Sequence, residues 1–211
     1  MDARSDPEWL VMAREMAAIA QSGLAFTRDP YDRERYQALT RLAARAMARH
    51  GGGGGDVLER MFLAQEGYAT PKIDVRGAVF REGRLLMVRE VADEGRWTLP
   101  GGWADVNLTP AENVVREVRE ESGFRVRPRK LAAVWDRTRQ GHVPKPFSAA
   151  KLFFLCEIEG GAAATSAETS EVAFFAEAEI PAFLSHDRIL PRQIARMFAH
   201  WRDPALPTEF D

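Results

Sequence analysis

Three carboxylates stand three and four residues apart in the segment Arg116-Glu117-Val118-Arg119-Glu120-Glu121. At helical spacing, Glu117, Glu120 and Glu121 share one face. Like charges so placed repel one another. Either Arg116, Arg119 and water screen a solvated face, or a hard divalent cation bridges the carboxylates. Mg²⁺ takes oxygen ligands, keeps several waters and contacts substrate phosphates. Such a cation activates a bound water and neutralises charge developing on a phosphoryl oxygen. Just upstream runs Leu99-Pro100-Gly101-Gly102-Trp103-Ala104-Asp105. Its glycine pair lets the backbone approach a metal or a phosphate, and this tips the reading toward the cation.

These groups need a helix with firm ends and a sheet beneath it. Thr109-Pro110-Ala111-Glu112 is a capping box with proline at the first helical position, and Gly123 supplies the stop. The spacing predicts a helix over 110–122, with Ala111, Val114, Val115, Val118 and Ser122 facing the sheet. Strands are predicted at 73–80 and 84–89, joined by a turn at Glu82-Gly83, and at 130–136, 151–158 and 171–175. A further helix is predicted over 188–201, and the small, polar segment 160–170 is predicted as a loop. Strands and helices mix without regular βαβ alternation, which predicts a mixed α/β sandwich. Ahead of it lie three helical stretches. The first runs from Pro7 to about Gly23, the second spans Tyr36 to Met47 and the third 57–65. Gly51 to Gly55 is expected to be a flexible connector. The predicted organisation is a helical N-terminal domain over 1–66, with its glycine-rich linker at 51–55, and a catalytic domain over 67–211.

The arrangement resembles the Nudix box, G-x5-E-x7-R-E-U-x-E-E-x-G-U, with U a bulky apolar residue. Gly102 opens it, and Arg116-Glu117-Val118, Glu120-Glu121, Gly123 and Phe124 complete it in register. The first glutamate of the pattern falls on Leu108. In the family that glutamate supports the box, partly by pairing with the arginine. Glu112, one helical turn before Arg116, is positioned in sequence to take over. The resemblance extends to the helical N-terminal region of a Nudix branch that includes bacterial CDP-choline pyrophosphatases. It is carried by Gly23-Leu24-Ala25-Phe26, by Asp29 to Tyr36, by Gly67 to Gly77 and by Glu168-Thr169-Ser170-Glu171.

The resemblance implies the Nudix α/β/α sandwich and dependence on Mg²⁺, with Mn²⁺ as substitute. It implies hydrolysis of a diphosphate linkage in a small nucleotide and a homodimer built on the N-terminal helices. It implies metal binding by Glu117, Glu120, Glu121 and the Gly101 carbonyl, with Arg116 in the catalytic set. Glu117, Glu120 and Glu171 are the candidates for general base, and Glu168 or Glu171 for completing the site. Arg76, beside Asp74 on the first strand, is either a surface residue or a phosphate ligand through paired hydrogen bonds. The basic loop from Asp136 to Lys151, with Arg137, Arg139 and His142, is either solvated or a substrate lid. Cys156, the single cysteine, follows an apolar run and reads as a buried small hydrophobe.

Composition narrows the alternatives. With 45% apolar and 28% charged residues in 211, the chain can bury a core without disulfides. A net charge of −2 argues against a dedicated nucleic-acid binder. No apolar run approaches a membrane span, and the first residues lack the order of a secretory signal, so the expectation is a cytoplasmic protein. The substrate expected first is a CDP-choline-like nucleoside diphosphate. ADP-ribose or a nucleotide sugar is the rival, and a weakly catalytic nucleotide sensor the rival of another class.

Overall fold

The structure is a computed structural model that describes residues 6–51 and 54–211. The chain divides into two compact units, one of residues 1–71 with 144–148 and one of residues 72–143 with 149–211.

The first unit is helical, with α1 (Glu8–Phe26), α2 (Pro30–Gly51) and α3 (Gly55–Leu63). α1 does not stop at Gly23, and its last turn closes when the Thr27 amide donates to the Gly23 carbonyl over 2.9 Å. Gly23 is there for packing, because a Cβ at that position would run into the Tyr36 ring. Asp29 starts α2, its Oδ1 accepting the amides of Tyr31 (2.8 Å) and Asp32 (3.0 Å), as an N-cap acid does. The glycine run is not a connector throughout: Gly51 ends α2 and Gly55 begins α3. Gly52 and Gly53 lie outside the described residues. Leu10, Ala13 and Met47 form the unit's small core, with Trp9, Met16, Ala46, Leu58 and Phe62 packed against it.

The second unit is a mixed sheet between helices. Its strands are β1 (Lys72–Arg81), β2 (Arg84–Glu90), β3 (Arg96–Thr98), β4 (Phe124–Asp136), β5 (Ala149–Gly161), β6 (Thr169–Phe175) and β7 (Glu209–Phe210). The order is β3-β2-β1-β5-β4-β7, with β6 also pairing β2. β1 runs parallel to β5, and β4 runs parallel to β7. Side-chain alternation along the strands separates two apolar layers. Val75, Val79 and Leu86 pack with Val114 and Val118 of α4 (Pro110–Ser122). Ala78, Leu85 and Met87 pack with Ile194, Met197 and Phe198 of α5 (Pro191–Arg202). This is the predicted α/β/α sandwich.

Local sequence explains the differences. β4 begins six residues before the predicted Lys130, because Pro128 sits at a register shift against β5, where a proline costs no ladder bond. β5 runs on to Gly161, so the loop that follows is shorter than 160–170. β7 has only two residues, too few to leave a period-2 pattern. Cys156 is buried in the α4-side layer, and burial pushes its thiol up to about 12.

Candidate active site

α4 forms where the sequence sets its ends. Thr109 and Glu112 close a reciprocal cap: the Thr109 amide donates to Glu112 Oε2 (2.8 Å) and the Glu112 amide to Thr109 Oγ1 (3.2 Å). The Thr109 amide and hydroxyl, both donating to Glu112 Oε2, hold the exposed carboxyl below its ordinary pKa. Gly123 stops the helix at φ 78°. One edge of the helix is close to β1, since a Cβ on Gly77 would approach Val118 Cγ2 to 2.6 Å.

The loop before α4 lies along the helix and touches it about once per turn. The Gly101 amide donates to Glu121 Oε2 over 2.8 Å. Gly102 backs onto Glu117, where a Cβ would meet Oε2 at 3.0 Å. The Asp105 amide donates to Asn113 Oδ1 over 2.8 Å. Gly101 adopts φ 142°, and a side chain there would fall on the Val75 carbonyl, so only glycine fits.

The three box carboxylates share a helix face but not an environment. Glu121 is buried at 6% exposure, and burial pushes its pKa up to about 8, against the pull of Arg76 and the Gly101 amide. Glu117 is raised as well, mainly by burial. Glu120 is exposed. Arg116 ties two of them together, with Nη2 2.7 Å from Glu117 Oε1 and Nη1 3.0 Å from Glu120 Oε2.

Among the described residues, no three acidic, histidine or cysteine side chains form a ready-made metal cage. The hydrogen bonds give the reason: each box carboxylate has turned to a protein donor. The donor set still fits a hard divalent cation. It is all oxygen, and two of its carboxylates are raised by burial, the mark of negative charge short of compensation.

The other predicted residues fall into two groups. Arg76, Asp74 and Lys151 form a buried cluster. Asp74 and Lys151 face each other across β1 and β5, with Nζ 2.8 Å from Asp74 Oδ1. Arg76 grips the same carboxylate through Nε and Nη2, each at 2.8 Å, and donates Nη1 to the Leu99 carbonyl at 3.2 Å. The paired hydrogen bonds expected for a phosphate are therefore spent on Asp74. Burial alone would raise Asp74, but the two cations outweigh it and hold it far below the usual range. Lys151 falls to about 8, driven by burial and opposed by Asp74. Arg137 is likewise buried, paired with Asp187 and the Val143 carbonyl. Of the expected lid cations Arg137, Arg139 and Lys151, only Arg139 is exposed.

Glu168 and Glu171 part company. Glu171 lies on β6 opposite Arg89, 3.5 Å from its guanidinium. Glu168 acts electrostatically on Glu117 and Glu90. The register thus brings Glu171 to an exposed ladder pair, while Glu168 lies beside the end of β2, its carbonyl accepting the Val91 amide over 2.9 Å. Glu112, expected to pair with Arg116, is used in the helix cap.

Three residues were missed. Glu90, at the end of β2, is buried beside Arg188 and raised by burial; a strand-end glutamate carries no sequence signal of this. Asn113 is fully buried, and its Nδ2 reaches the carbonyls of Asp105 (3.3 Å), Leu108 (3.3 Å) and Thr109 (3.1 Å). Its position four residues before Glu117, on the carboxylate stripe, was the available signal. Asp105 is the third, with Oδ2 3.0 Å from Arg116 Nη2.

Fold and site define an α/β/α sandwich with a carboxylate-rich helix laced to a glycine loop, and comparison with known proteins gives the family. Residues 70–195 match the NUDIX domain model, and residues 7–62 match the model described as UDP-X-like, N-terminal oligomerisation domain. The chain belongs to the Nudix superfamily and is a Nudix hydrolase. Members of the family generally use divalent metal ions. A Bacillus subtilis (strain 168) protein, YjhB, provisionally named an ADP-ribose pyrophosphatase, is 45% identical over 204 residues, 97% of each chain. The crystal structure of a UDP-X diphosphatase matches with a TM-score of 0.62 at 29% identity, covering 99% of this chain and 100% of that one. An ADP-ribose pyrophosphatase from Streptococcus suis 89-1591 matches with a TM-score of 0.60 at 34% identity, covering 67% and 100%. Among the described residues, no helix is long and apolar enough to cross a membrane.

Proposed function

We propose that this protein hydrolyses the diphosphate linkage of a nucleoside diphosphate joined to a second group, releasing a nucleoside monophosphate and the phosphorylated second group. The observation that carries this reading is the lacing of the Gly101-Gly102 loop to Glu117 and Glu121, which concentrates carboxylate beside backbone that no side chain crowds. Glu117, Glu120, Glu121 and the Gly101 carbonyl would hold Mg²⁺, or Mn²⁺ in its place. A bound divalent ion supplies Lewis acidity and a water of lowered pKa.

The chain's own residues do the rest. Arg116 fixes the spacing of Glu117 and Glu120. The Gly101 amide fixes Glu121. Glu117, its pKa raised by burial, suits a proton acceptor, with Glu168 or Glu171 as candidates to complete the site. Arg76 contributes positive potential to Glu121 from within its buried cluster. The names of the relatives favour ADP-ribose over the CDP-choline-like substrate. The retained carboxylates speak against a sensor, which would be free to lose them.

A panel of ADP-ribose, UDP-linked sugars and CDP-choline, read by phosphate release after phosphatase coupling with Mg²⁺ or Mn²⁺, tests this reading. Release of nucleoside monophosphate from one of them is expected. No turnover across the panel would overturn it.

A further inference from the structure

We infer that Asp105 is a positioning residue that supplies the carboxylate missing at Leu108, holding Arg116 and through it Glu117 and Glu120. The inference deepens the proposed hydrolase reading and rests on it for its kinetic consequences.

Arg116 is the one residue bonded to both Glu117 and Glu120 among the described contacts of the box. A guanidinium on a long side chain needs an anchor to hold two carboxylates at a fixed spacing. Leu108 offers none, being apolar and 39% exposed. Glu112 is committed to Thr109. Asp105 remains, its Oδ2 3.0 Å from Arg116 Nη2, the same nitrogen that binds Glu117.

Half-exposed ion pairs contribute little stability, and the Asp105 side chain is 63% exposed. Its value is geometric. Asn113, fully buried, accepts the Asp105 amide at 2.8 Å and donates to the Asp105 carbonyl at 3.3 Å. The short aspartate side chain therefore starts from a fixed backbone and gives up little freedom in meeting Arg116. The compensation is incomplete. Among the described residues Arg116 Nε is buried with no hydrogen-bond partner, and Leu108 lines the same groove of about 770 Å³ as Arg116. A carboxylate restored at 108 would share that groove with the Arg116 guanidinium, and this is the compensation that the double variant tests.

The test uses the full chain and the variants Asp105→Asn, Leu108→Glu and the double variant. In metal-free protein, the Arg116 side-chain Nε–H resonance should shift or broaden in Asp105→Asn and sharpen again in the double variant. Misplacement by a small distance costs up to a hundredfold in rate, so with Mg²⁺ and the substrate found by the panel, kcat should fall roughly tenfold in Asp105→Asn. KM should change less than about twofold, and most of the loss should be recovered in the double variant. An unmoved Arg116 resonance in Asp105→Asn overturns the inference, and so does a kcat loss that Leu108→Glu fails to recover. If no nucleotide is turned over by the parent, the proposed function fails, and the resonance alone still decides the role of Asp105.

Discussion

The Gly101 amide donates to the buried Glu121 carboxylate over 2.8 Å, and Thr169 Oγ1 donates to the Glu121 carbonyl over 2.7 Å. One residue thus joins the box loop, the helix end and the start of β6. Replacing Glu121 by Gln keeps an acceptor for Gly101 and removes a carboxyl whose ionisation burial disfavours. Turnover should fall by at least about a hundredfold, with the melting temperature kept or raised. Glu120→Gln, exposed and bound to Arg116, should lose rate without a change in stability. Near-parental turnover of either variant at limiting Mg²⁺ would remove that residue from the ligand set.

Gly102 tests the close approach of loop and helix. Alanine there meets the far end of the flexible Glu117 side chain at 3.0 Å, which can give way. The protein should fold with a stability change within about 0.5 kcal/mol and lose roughly tenfold in kcat through the displaced carboxylate. Gly101→Ala, at φ 142° and against backbone, should instead fail in stability. Urea unfolding beside steady-state kinetics separates the two.

Asp74 compensates two buried cations. Asp74→Ala leaves Arg76 and Lys151 without their carboxylate and should cost about 3–5 kcal/mol. Arg139→Ala, on the surface, should stay within about 0.5 kcal/mol. Equal midpoints in urea for Asp74→Ala and the parent would show that the cluster is not structural.

His142 is buried with Nδ1 2.9 Å from the His186 carbonyl, and burial lowers its pKa from 6.5 to about 4. Between these values the unfolded chain holds the proton and the folded chain does not. Stability from this group is therefore full above pH 6.5 and is lost as pH falls toward 4. His142→Asn, which can still donate to His186, should flatten the fall. Melting temperatures at pH 4.5 and 7 for both proteins check it, and parallel curves would reject the assignment.

Met12, Ile19 and Phe26 stand seven residues apart on α1 and are 54%, 52% and 71% exposed. That spacing makes one apolar stripe. We propose that the homodimer expected from the N-terminal helices forms through this stripe, so Ile19→Arg together with Phe26→Arg should lower the mass seen by light scattering from dimer to monomer. A parent that is already monomeric would contradict the dimer.

The sequence by itself determined the parts that depend on near neighbours. Capping chemistry at Thr109 and Glu112, the Gly123 stop and the 3.6-residue period set α4 and its carboxylate stripe, because those forces act within one turn. Strand alternation set the two-layered core of the sheet for the same local reason. Tertiary structure decided which charges reach water. Lys151 meets Asp74 and Arg76 only because β1 lies in parallel register with β5, so a binding set expected from charge became a buried ion cluster. Glu171 is turned to Arg89 because β6 pairs with β2 in that register. Asp105 replaced Glu112 beside Arg116 because a helix cap satisfies its glutamate first, and a buried asparagine carries the loop to the arginine. Residue types fix what chemistry is available. The desolvation and long-range pairing that choose among identical carboxylates exist only once the chain has folded.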